Sequence, residues 1–462
     1  MASFETITPV DDTVLLTRQR HTDADVDAAL NKAAVGFDEW RRLPVAHRVE
    51  VLSRAVRAFV ERKEEIACEI TDQIGRPIAY SGSEVDGFEV RARTMLSLAP
   101  EALAPAIPDA IDGFARSIRR APLGTIAVLA PWNYPFLTAV NAVIPALVAG
   151  NVVVLKHSDQ TPLAAERIDE AFRAAGLPEG VFQYLHIDHD QVARMVADSR
   201  VAYVCFTGSV AGGRALQAAL AASFKSAGLE LGGKDPAYIR EDANIDHAIE
   251  NVADGIFFNS GQSCCGIERV YVHERHFKTV VDGLVSYAEQ LKLGDPRYAA
   301  TTLGPMVKAS AADFVRRQIG EAVEQGARAL VDRRKFAADN GRTAYLAPEI
   351  LVNCTHAMSI MTEETFGPVA GIMPVKSDAE AVRLMNDSRY GLTASIWTAD
   401  QDAAEVIGDQ LDTGTVFMNR CDYLDPELAW TGVKDSGRGA TLSRVGFDYL
   451  TRPKSYHFKF NV

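Results

Sequence analysis

Four short apolar runs, separated by segments of helix length, constrain the fold of this chain more than any other feature. The runs span residues 125–130, 151–156, 182–186 and 201–206. Strands that are apolar along their whole length and alternate with helices are typical of a parallel sheet covered on both faces. The sequence therefore predicts an α/β fold with a doubly wound parallel sheet, a fold that binds ligands at the carboxyl ends of its strands.

The segments around these runs carry the signals of helix ends. Small polar residues cap helix starts, proline suits the first helical position and glycine suits the left-handed position after the last turn. Such signals favour helices between the runs and through the first third of the chain. The residues that carry these signals are Thr161, Pro162 and Gly176 for one helix, Thr22 for a helix that ends near Pro44, and Gly75 with Pro77 for the end of a second helix.

A second α/β region is expected after Leu231. Its candidate strands are residues 269–273, 371–375, 394–397 and 415–418, and a helix is expected near residues 276–291. Residues 111–120 and 455–460 read as extended segments outside both regions, so they could pair as an arm. The longest apolar stretch, residues 137–155, is interrupted by asparagine, proline and glycine, which favours a helix followed by a buried strand over a membrane span.

Charge and cysteine usage exclude several classes of function. The chain has 48 lysine and arginine residues against 61 aspartate and glutamate residues, a net charge of −13. This balance argues against nucleic acid or an anionic membrane as the main partner. Six sparse cysteines, with no signal-peptide pattern at the N-terminus, predict a reducing compartment and hence a cytoplasmic protein. No histidine pair has the H-x₃₋₅-H spacing typical of zinc ligands, so no metal site is expected.

A glycine turn follows the apolar run that ends at Phe206. Gly208 and Ser209 stand where a strand passes into a predicted helix. The free N–H groups and the positive dipole end of a helix N-terminus suit a phosphate. An ordinary strand-to-helix turn explains the same residues, because the segment lacks the full G-x-G-x-x-G pattern.

The segment N-S-G-Q-S-C-C-G, residues 259–266, places two cysteines after a glycine turn. A cysteine at a helix N-terminus is favoured as a thiolate nucleophile. A small buried side chain is the alternative, and position alone does not choose between Cys264 and Cys265. The polar neighbours of Cys264 are unlike a core strand, which favours the nucleophile.

Two polar residues adjoin predicted strands. Glu230 follows an apolar stretch, and burial there would raise its pKa and make it a usable general base. Asn133 follows the first apolar run, where its amide could donate to a developing oxyanion. An exposed carboxylate and a proline-bounded turn are the respective alternatives.

Six motifs of this chain occur together in one order. In this combination the chain resembles the NAD(P)-dependent aldehyde dehydrogenase superfamily over nearly its whole length. The motifs are P-W-N-Y-P from Pro131, F-T-G-S from Phe206, E-L-G-G-K from Glu230, G-Q-S-C from Gly261, E-E-T-F-G-P-V from Glu363 and S-G-R-G from Ser436.

The resemblance implies a subunit of three parts. A Rossmann-like cofactor domain would take residues 1–110 and 122–231, a second α/β catalytic domain residues 232–445, and a small β arm residues 111–121 and 446–462. The arm would assemble a homodimer or homotetramer. The implied reaction oxidises an aldehyde to a carboxylic acid through a thiohemiacetal and a thioester on Cys264, with Asn133 as oxyanion donor and Glu230 as general base.

The resemblance also implies a nicotinamide cofactor. Asp159 stands where family members place a carboxylate near the adenosine ribose. A carboxylate accepts a hydrogen bond from a 2′-OH and repels a 2′-phosphate, so NAD is expected rather than NADP. The other cofactor contacts implied are Trp132, Lys156, Gly208, Ser209, Leu231, Glu364 and Phe366.

Position relative to the motifs implies a substrate pocket in which several residues are aromatic or apolar. A medium-sized apolar or aromatic aldehyde is therefore expected. Arg420 and Asp422 would instead meet a charged substrate such as a semialdehyde, unless both are solvated. The pocket residues are Tyr134, Thr138, Phe258, Ser263, Cys265 and Trp430.

The chain departs from the family pattern at three places. His157 stands where proline is usual, Trp430 and Thr431 replace phenylalanine and glycine, and Thr441 occupies the region of a glutamate that many relatives carry. Proton handling after acylation is therefore expected to differ in detail.

Three other functions stay open. A CoA-acylating semialdehyde dehydrogenase on the same fold is disfavoured by Glu230, because such enzymes often lack this base. A thiol esterase leaves the cofactor motifs unexplained, and no histidine marks itself as the partner of Cys264. A non-catalytic scaffold protein is disfavoured because Cys264, Glu230 and Asn133 are all present.

Overall fold

The computed structural model describes residues 2–421 and 423–460, and it begins with a β-hairpin followed by five helices. The prediction that the first third of the chain is helical is wrong for the hairpin, because alternate side chains there, Phe4 and Thr6, are the buried ones. The elements are β1 (Ser3–Ile7), β2 (Val14–Gln19), α1 (Asp23–Trp40), α2 (Val45–Val60), α3 (Lys63–Ile74), α4 (Ile78–Ser81) and α5 (Ser83–Ala102).

The ends of these helices follow local chemistry. Thr22 caps α1 through a reciprocal pair of hydrogen bonds with Asp25, as its sequence predicts. The predicted second helix is two helices, because the chain leaves helical geometry at Arg62 (φ −101°, ψ 19°). Gly75 (φ +78°) ends α3 in the left-handed conformation.

The predicted parallel sheet is present in the next part of the chain. Its parallel strands run in the order β8-β7-β4-β5-β6, with helices between successive strands. All four predicted apolar runs overlap its strands, and the long apolar stretch is a helix followed by a strand. The elements are β3 (Phe114–Pro122), β4 (Thr125–Ala130), α6 (Pro135–Val148), β5 (Val152–His157), α7 (Pro162–Ala174), β6 (Phe182–Tyr184), α8 (His189–Ala197), β7 (Val201–Thr207), α9 (Val210–Leu220) and β8 (Ser226–Glu230).

A second sheet follows in the order β11-β12-β13-β10-β9-β15-β16, parallel except at β11. The predicted strands of the second region fall within strands of this sheet. The elements of this part of the chain, in chain order, are β9 (Asp235–Ile239), α10 (Ile245–Phe257), β10 (Ile267–His273), α11 (Phe277–Gln290), α12 (Ala309–Glu324), β11 (Arg328–Ala329), β12 (Glu349–Val352), α13 (Ser359–Thr362), β13 (Val369–Val375), α14 (Asp378–Asn386), β14 (Tyr390–Gly391), β15 (Thr393–Trp397), α15 (Gln401–Gly408) and β16 (Thr415–Met418). The predicted helix matches α11 to within one residue at each end, and β14 pairs outside the sheet with Val433–Lys434.

The C-terminal segment contains strands that pair with strands from earlier in the chain. It contains β17 (Val433–Lys434), β18 (Gly437–Arg438), α16 (Gly446–Leu450) and β19 (Thr451–Lys459). Strand β18 adds an antiparallel edge to the first sheet, with Gly437 opposite Glu230. Strand β19 pairs antiparallel with β3, so the two predicted extended segments do form a two-stranded arm.

Hydrophobic packing divides along the two sheets. One core joins the N-terminal helices to the first sheet and includes Trp40 and Phe447. The second sheet has a core on each face, because successive residues such as Ala237 and Tyr238 belong to different clusters. No helix within residues 2–421 or 423–460 combines the length and apolarity that a membrane crossing requires.

Candidate active site

A cavity of about 370 Å³ lies where the carboxyl ends of the first sheet's strands face the turn before β10. Cys264 and Glu230 both line it, although 34 positions separate them in sequence. The predicted pocket residues line the same cavity: Tyr134, Thr138, Phe258, Ser263, Cys265 and Trp430.

The turn that carries Cys264 is held in strained backbone geometry. Asn259 and Ser260 have φ of 51° and 57°, and Gly261 has φ of +68°. A Cβ atom at Gly261 would lie 2.2 Å from the Gly367 carbonyl oxygen, so only glycine fits there. Cys264 stands in this turn before β10, and the prediction that it begins a helix is wrong because the chain passes directly into the strand.

Exposure separates the two adjacent cysteines. Cys264 is partly exposed, whereas Cys265 is 3% exposed with its Sγ 3.6 Å from the Ser263 Oγ. A nucleophile must be reached by its substrate, so the geometry favours Cys264.

Asn133 is buried beside this turn and is fixed from both ends. Its side-chain amide donates to the Gln262 carbonyl oxygen at 3.1 Å. Its own carbonyl oxygen accepts from Arg76 at 2.5 Å and from Asn259 at 3.2 Å. These contacts hold Asn133 against the segment that carries Cys264.

A buried ion pair helps to hold Asn133 in place. Arg76 pairs with Glu84, and both side chains are at most 1% exposed. The Glu84 carboxylate also accepts from the N–H groups of Phe136 and Leu137, at 2.9 and 3.0 Å, in the first turn of α6. One carboxylate therefore anchors the start of α6 and the arginine that holds Asn133.

Replacing Glu84 with glutamine is expected to destabilise the protein by about 3 kcal/mol, because Arg76 is left as a buried charge without its counter-ion. Urea unfolding measures this. The matched control is Glu101→Gln, which breaks the exposed pair with Arg444 and should cost less than about 1 kcal/mol. Equal unfolding free energies for the two variants would contradict the role given to Glu84.

Glu230 ends β8, where it is only partly exposed. Thr441 donates to it at 2.6 Å and Thr207 at 3.1 Å. Burial raises the pKa of Glu230, and these two hydroxyl groups oppose the rise. The departure at Thr441 thus places a hydroxyl group, fixed by backbone hydrogen bonds with Trp430, against the candidate base.

A smaller cavity of about 30 Å³ adjoins Glu230 on the side of Thr441. Its walls include Tyr203 and Arg438, so it is large and polar enough to hold a water molecule. Glu230 therefore lies between the large cavity and a space where a water molecule fits.

The predicted phosphate site lies at the start of α9. The Ser209 hydroxyl accepts from the Gly212 N–H at 3.1 Å and caps the helix. Side chains at Gly208 and Gly213 would collide with Phe206 and Leu231, at 2.7 and 2.9 Å, so both glycines allow close packing. Helix N–H groups beside small residues fit a pyrophosphate.

A second cavity, about 340 Å³, lies between Ser209 and Glu364. Glu364 accepts from the Gly233 N–H at 3.0 Å, and burial, together with Glu268, raises its pKa to about 7. Phe366 (φ +54°) meets Trp132 edge to face, with ring centroids 5.7 Å apart. Ser209 and Glu364, two of the predicted cofactor contacts, therefore line one cavity.

Lys156 and Asp159 lie at the end of β5. Lys156 Nζ is 3.2 Å from one carboxylate oxygen of Asp159, and Arg20 Nη2 is 2.6 Å from the other. Burial opposes ionisation of Asp159, but the two cations outweigh it and hold its pKa below the usual range. No pattern in the sequence indicates the contact of Arg20, which lies directly after β2 and far from Asp159 along the chain.

His157, at the family's usual proline position, is buried and neutral. Its Nδ1 accepts from the Ser158 N–H at 3.0 Å, and its Nε2 is 2.9 Å from the Pro135 carbonyl oxygen. Burial lowers its pKa to about 4. The Thr161 hydroxyl contacts the same Nδ1 at 3.0 Å and makes no hydrogen bond to the helix, so its predicted capping role is wrong.

Of the two charged residues considered for a charged substrate, Arg420 does not line the cavity. Arg420 is exposed and its guanidinium lies 3.8 Å from the Tyr423 ring centroid, and Asp422 lies outside the described residues. The cavity does contain Arg91, which the sequence reasoning missed. In the part of the chain that the structure describes, no group of three or more metal-ligating side chains is arranged to hold a metal ion.

Comparisons with known proteins agree with this geometry. The family model described as "Aldehyde dehydrogenase family" matches residues 1–456. The succinate semialdehyde dehydrogenase Sad of Escherichia coli K12, described as using NAD(P)+, is 36% identical over 422 residues, which cover 91% of this chain and 90% of that protein. The phenylacetaldehyde dehydrogenase of Pseudomonas fluorescens is 35% identical over 441 residues, 93% of this chain and 88% of that protein.

A solved structure gives the same result for the fold. The succinic semialdehyde dehydrogenase from Streptococcus pyogenes in complex with NADP+ superposes with a TM-score of 0.94 at 30% identity. The match covers 99% of this chain and 100% of that chain.

Proposed function

Because the chain belongs to the aldehyde dehydrogenase family and is an NAD(P)-dependent oxidoreductase, we propose that Cys264, Asn133 and Glu230 carry out its oxidation of an aldehyde to a carboxylic acid. The observation that carries this assignment is the shared cavity, which a partly exposed thiol and a hydrogen-bonded carboxylate both line.

The first step forms a bond between sulfur and carbon. The Cys264 thiolate adds to the aldehyde carbonyl, and the oxygen takes up the negative charge. The Asn133 amide and the Cys264 backbone N–H donate to this oxygen, and removal of one such donor costs roughly 10²–10³-fold in rate. The contacts of Asn133 with Arg76 and Gln262 preorganise the amide for this task.

The second half of the reaction releases the acid. The predicted cofactor residues, among them Ser209, Glu364 and Phe366, would hold a nicotinamide cofactor, which would supply the hydride acceptor needed to oxidise the adduct to a thioester on Cys264. Glu230 then takes a proton from water, whose oxygen attacks the thioester carbonyl. The carboxylic acid departs and the thiolate of Cys264 is restored.

A direct assay tests this function. The purified protein is supplied with NAD or NADP and a panel of aliphatic, aromatic, hydroxy- and carboxy-aldehydes, and reduced cofactor and free acid are measured. Equal amounts of reduced cofactor and free acid are expected, and acyl-CoA formed on addition of CoA would contradict hydrolysis by Glu230. Absence of cofactor reduction with every aldehyde would overturn the function.

For the cofactor we propose a preference for NAD over NADP. The adenosine end of the cofactor would meet Lys156 and Asp159, and Asp159 is ionised. An ionised carboxylate at the ribose repels a 2′-phosphate. Since Lys156 and Arg20 supply positive charge beside it, NADP is expected as a weaker substrate and not an excluded one.

The variant Asp159→Asn is expected to shift the ratio of kcat/KM for NAD to that for NADP by about tenfold towards NADP, because Arg20 and Lys156 then face the 2′-phosphate without a carboxylate. Initial rates at varied cofactor concentration measure the ratio. Asp409→Asn, an exposed aspartate beyond α15, is the control. An unchanged ratio would show that Asp159 does not set cofactor preference.

We further propose that the arm of β3 and β19 joins subunits into a homodimer or homotetramer in the cytoplasm. The arm exposes apolar side chains, among them Phe458 and Phe460, at 52% and 54%. Such residues on a two-stranded sheet suit burial against another subunit.

A further inference from the structure

Two cations line the catalytic cavity, and they differ in what holds them. Arg76 has its counter-ion, Glu84, and further hydrogen bonds to Asn259 and Asn133. Arg91 is 9% exposed and projects from α5 into the same cavity as Cys264. The charge of Arg76 is therefore balanced within the protein, whereas the buried charge of Arg91 still has to be explained.

The hydrogen bonds of Arg91 go to neutral acceptors. Its Nη1 donates to the Leu137 carbonyl oxygen at 2.7 Å and to the Asn141 Oδ1 at 3.3 Å. Among the described residues no carboxylate lies within 4.0 Å of its guanidinium. These two contacts fix one nitrogen of the guanidinium against α6 and orient the group in the cavity.

A buried arginine without a counter-ion is costly, because its charge has lost most of its water. Burial lowers the pKa of Arg91, and the nearby carboxylates of Glu84 and Glu230 oppose the fall. Both carboxylates are already engaged, Glu84 by Arg76 and Glu230 by Thr441 and Thr207. The arrangement is explained if the counter-ion of Arg91 arrives with a ligand.

The remaining walls show how such a ligand would lie. Apolar side chains of Tyr134, Leu137 and Trp430 surround the space, which suits a carbon chain. The acidic Asp254 also lines the cavity, on α10, so a carboxylate would be repelled there and attracted by Arg91 on α5. A guanidinium matches a carboxylate through two parallel hydrogen bonds.

We propose that Arg91 binds a carboxylate at the far end of the substrate, so that the substrate class is an aldehyde with a terminal carboxylate. The proposal rests on the proposed function and gives the polar end of its substrate. It replaces the uncharged apolar or aromatic aldehyde expected from the sequence, and it assigns the charged contact to Arg91 in place of Arg420.

The test compares two substrates that differ only in charge, 4-oxobutanoate and its methyl ester. For the unaltered enzyme, kcat/KM should be at least about tenfold higher for the acid. In Arg91→Met the ratio of the two values should fall by about tenfold or more, to about one or below, mainly through a higher KM for the acid. Arg91→Lys, which keeps the charge but not the paired geometry, should fall in between.

Arg420→Met is the matched control, because it removes an arginine outside the cavity and should leave the ratio unchanged. Equal kcat/KM values for the acid and the ester in the unaltered enzyme would overturn the proposal while leaving aldehyde oxidation intact. A proportional loss with both substrates in Arg91→Met would also overturn it, since Arg91 would then act on structure or chemistry. If Arg91→Met does not fold, the unaltered enzyme and Arg91→Lys decide the question.

Discussion

Replacing Cys264 with alanine is expected to lower kcat by about 10⁴-fold or more, because Cys265, the other thiol at the cavity, is 3% exposed and too buried to form the thioester in its place. The side chain is small and partly exposed, so its removal leaves no large buried void. Steady-state formation of reduced cofactor measures the loss. When the reaction is run in isotopically labelled water, formation of the carboxylate product that carries the label should be lost in parallel.

The adjacent residue provides the control. Cys265→Ala removes a thiol of the same size that is 3% exposed and lies 3.6 Å from the Ser263 hydroxyl. We expect kcat within about threefold of the unaltered enzyme, since a small buried side chain is truncated by only one atom. If Cys265→Ala were inactive and Cys264→Ala active, the nucleophile would be Cys265 and the assignment to Cys264 would be wrong.

Local sequence pattern was sufficient for most of the first sheet. Its central strands β4 and β5 are buried on both faces, so they appear as continuous apolar runs, and β4 has the bounds predicted for it, Thr125–Ala130. The hairpin β1–β2 was missed, because its few buried residues leave little signal. The two-residue strand β18 has no signal of its own, since its pairing with β8 joins distant parts of the chain.

The candidate site was predictable to a different extent. Motif residues such as Cys264, Glu230 and Asn133 are local signals, and the cavity brings the first two together. The charged residues that hold or orient them come from elsewhere in the chain. Arg76 reaches Asn133 across 57 positions and Arg20 reaches Asp159 across 139. Neither contact leaves a periodicity or spacing in the sequence, so only the folded chain reveals it.

Thr441 illustrates why the departures matter for chemistry. The sequence shows only that a glutamate is absent there, whereas the structure shows a hydroxyl hydrogen bond to Glu230 at 2.6 Å. A hydroxyl group steadies an ionised carboxylate but adds no second charge. The pKa of Glu230 is thus set mainly by burial. Replacement of this carboxylate by a group that cannot accept a proton should therefore have a distinct effect on the kinetics.

Glu230→Gln is expected to slow steady-state turnover by about 10³-fold while sparing the first turnover. Glutamine keeps the shape of the side chain but cannot take a proton from water, so the thioester on Cys264 should accumulate. Rapid mixing should show a burst of reduced cofactor equal to the enzyme concentration, followed by a slow phase. Glu101→Gln, at an exposed site, is the control and should show normal turnover.

The pH dependence of steady-state kcat provides a second test of the role of Glu230. Burial raises the pKa of Glu230, so the ionised form that accepts the proton is lost at a higher pH than for an ordinary carboxylate. Steady-state kcat of the unaltered enzyme should therefore fall as the pH is lowered through this raised pKa, and the slow phase of Glu230→Gln should lack that limb. A burst slowed as much as the steady state would contradict the assignment, because Glu230 would then act before the thioester forms, as the base that ionises Cys264.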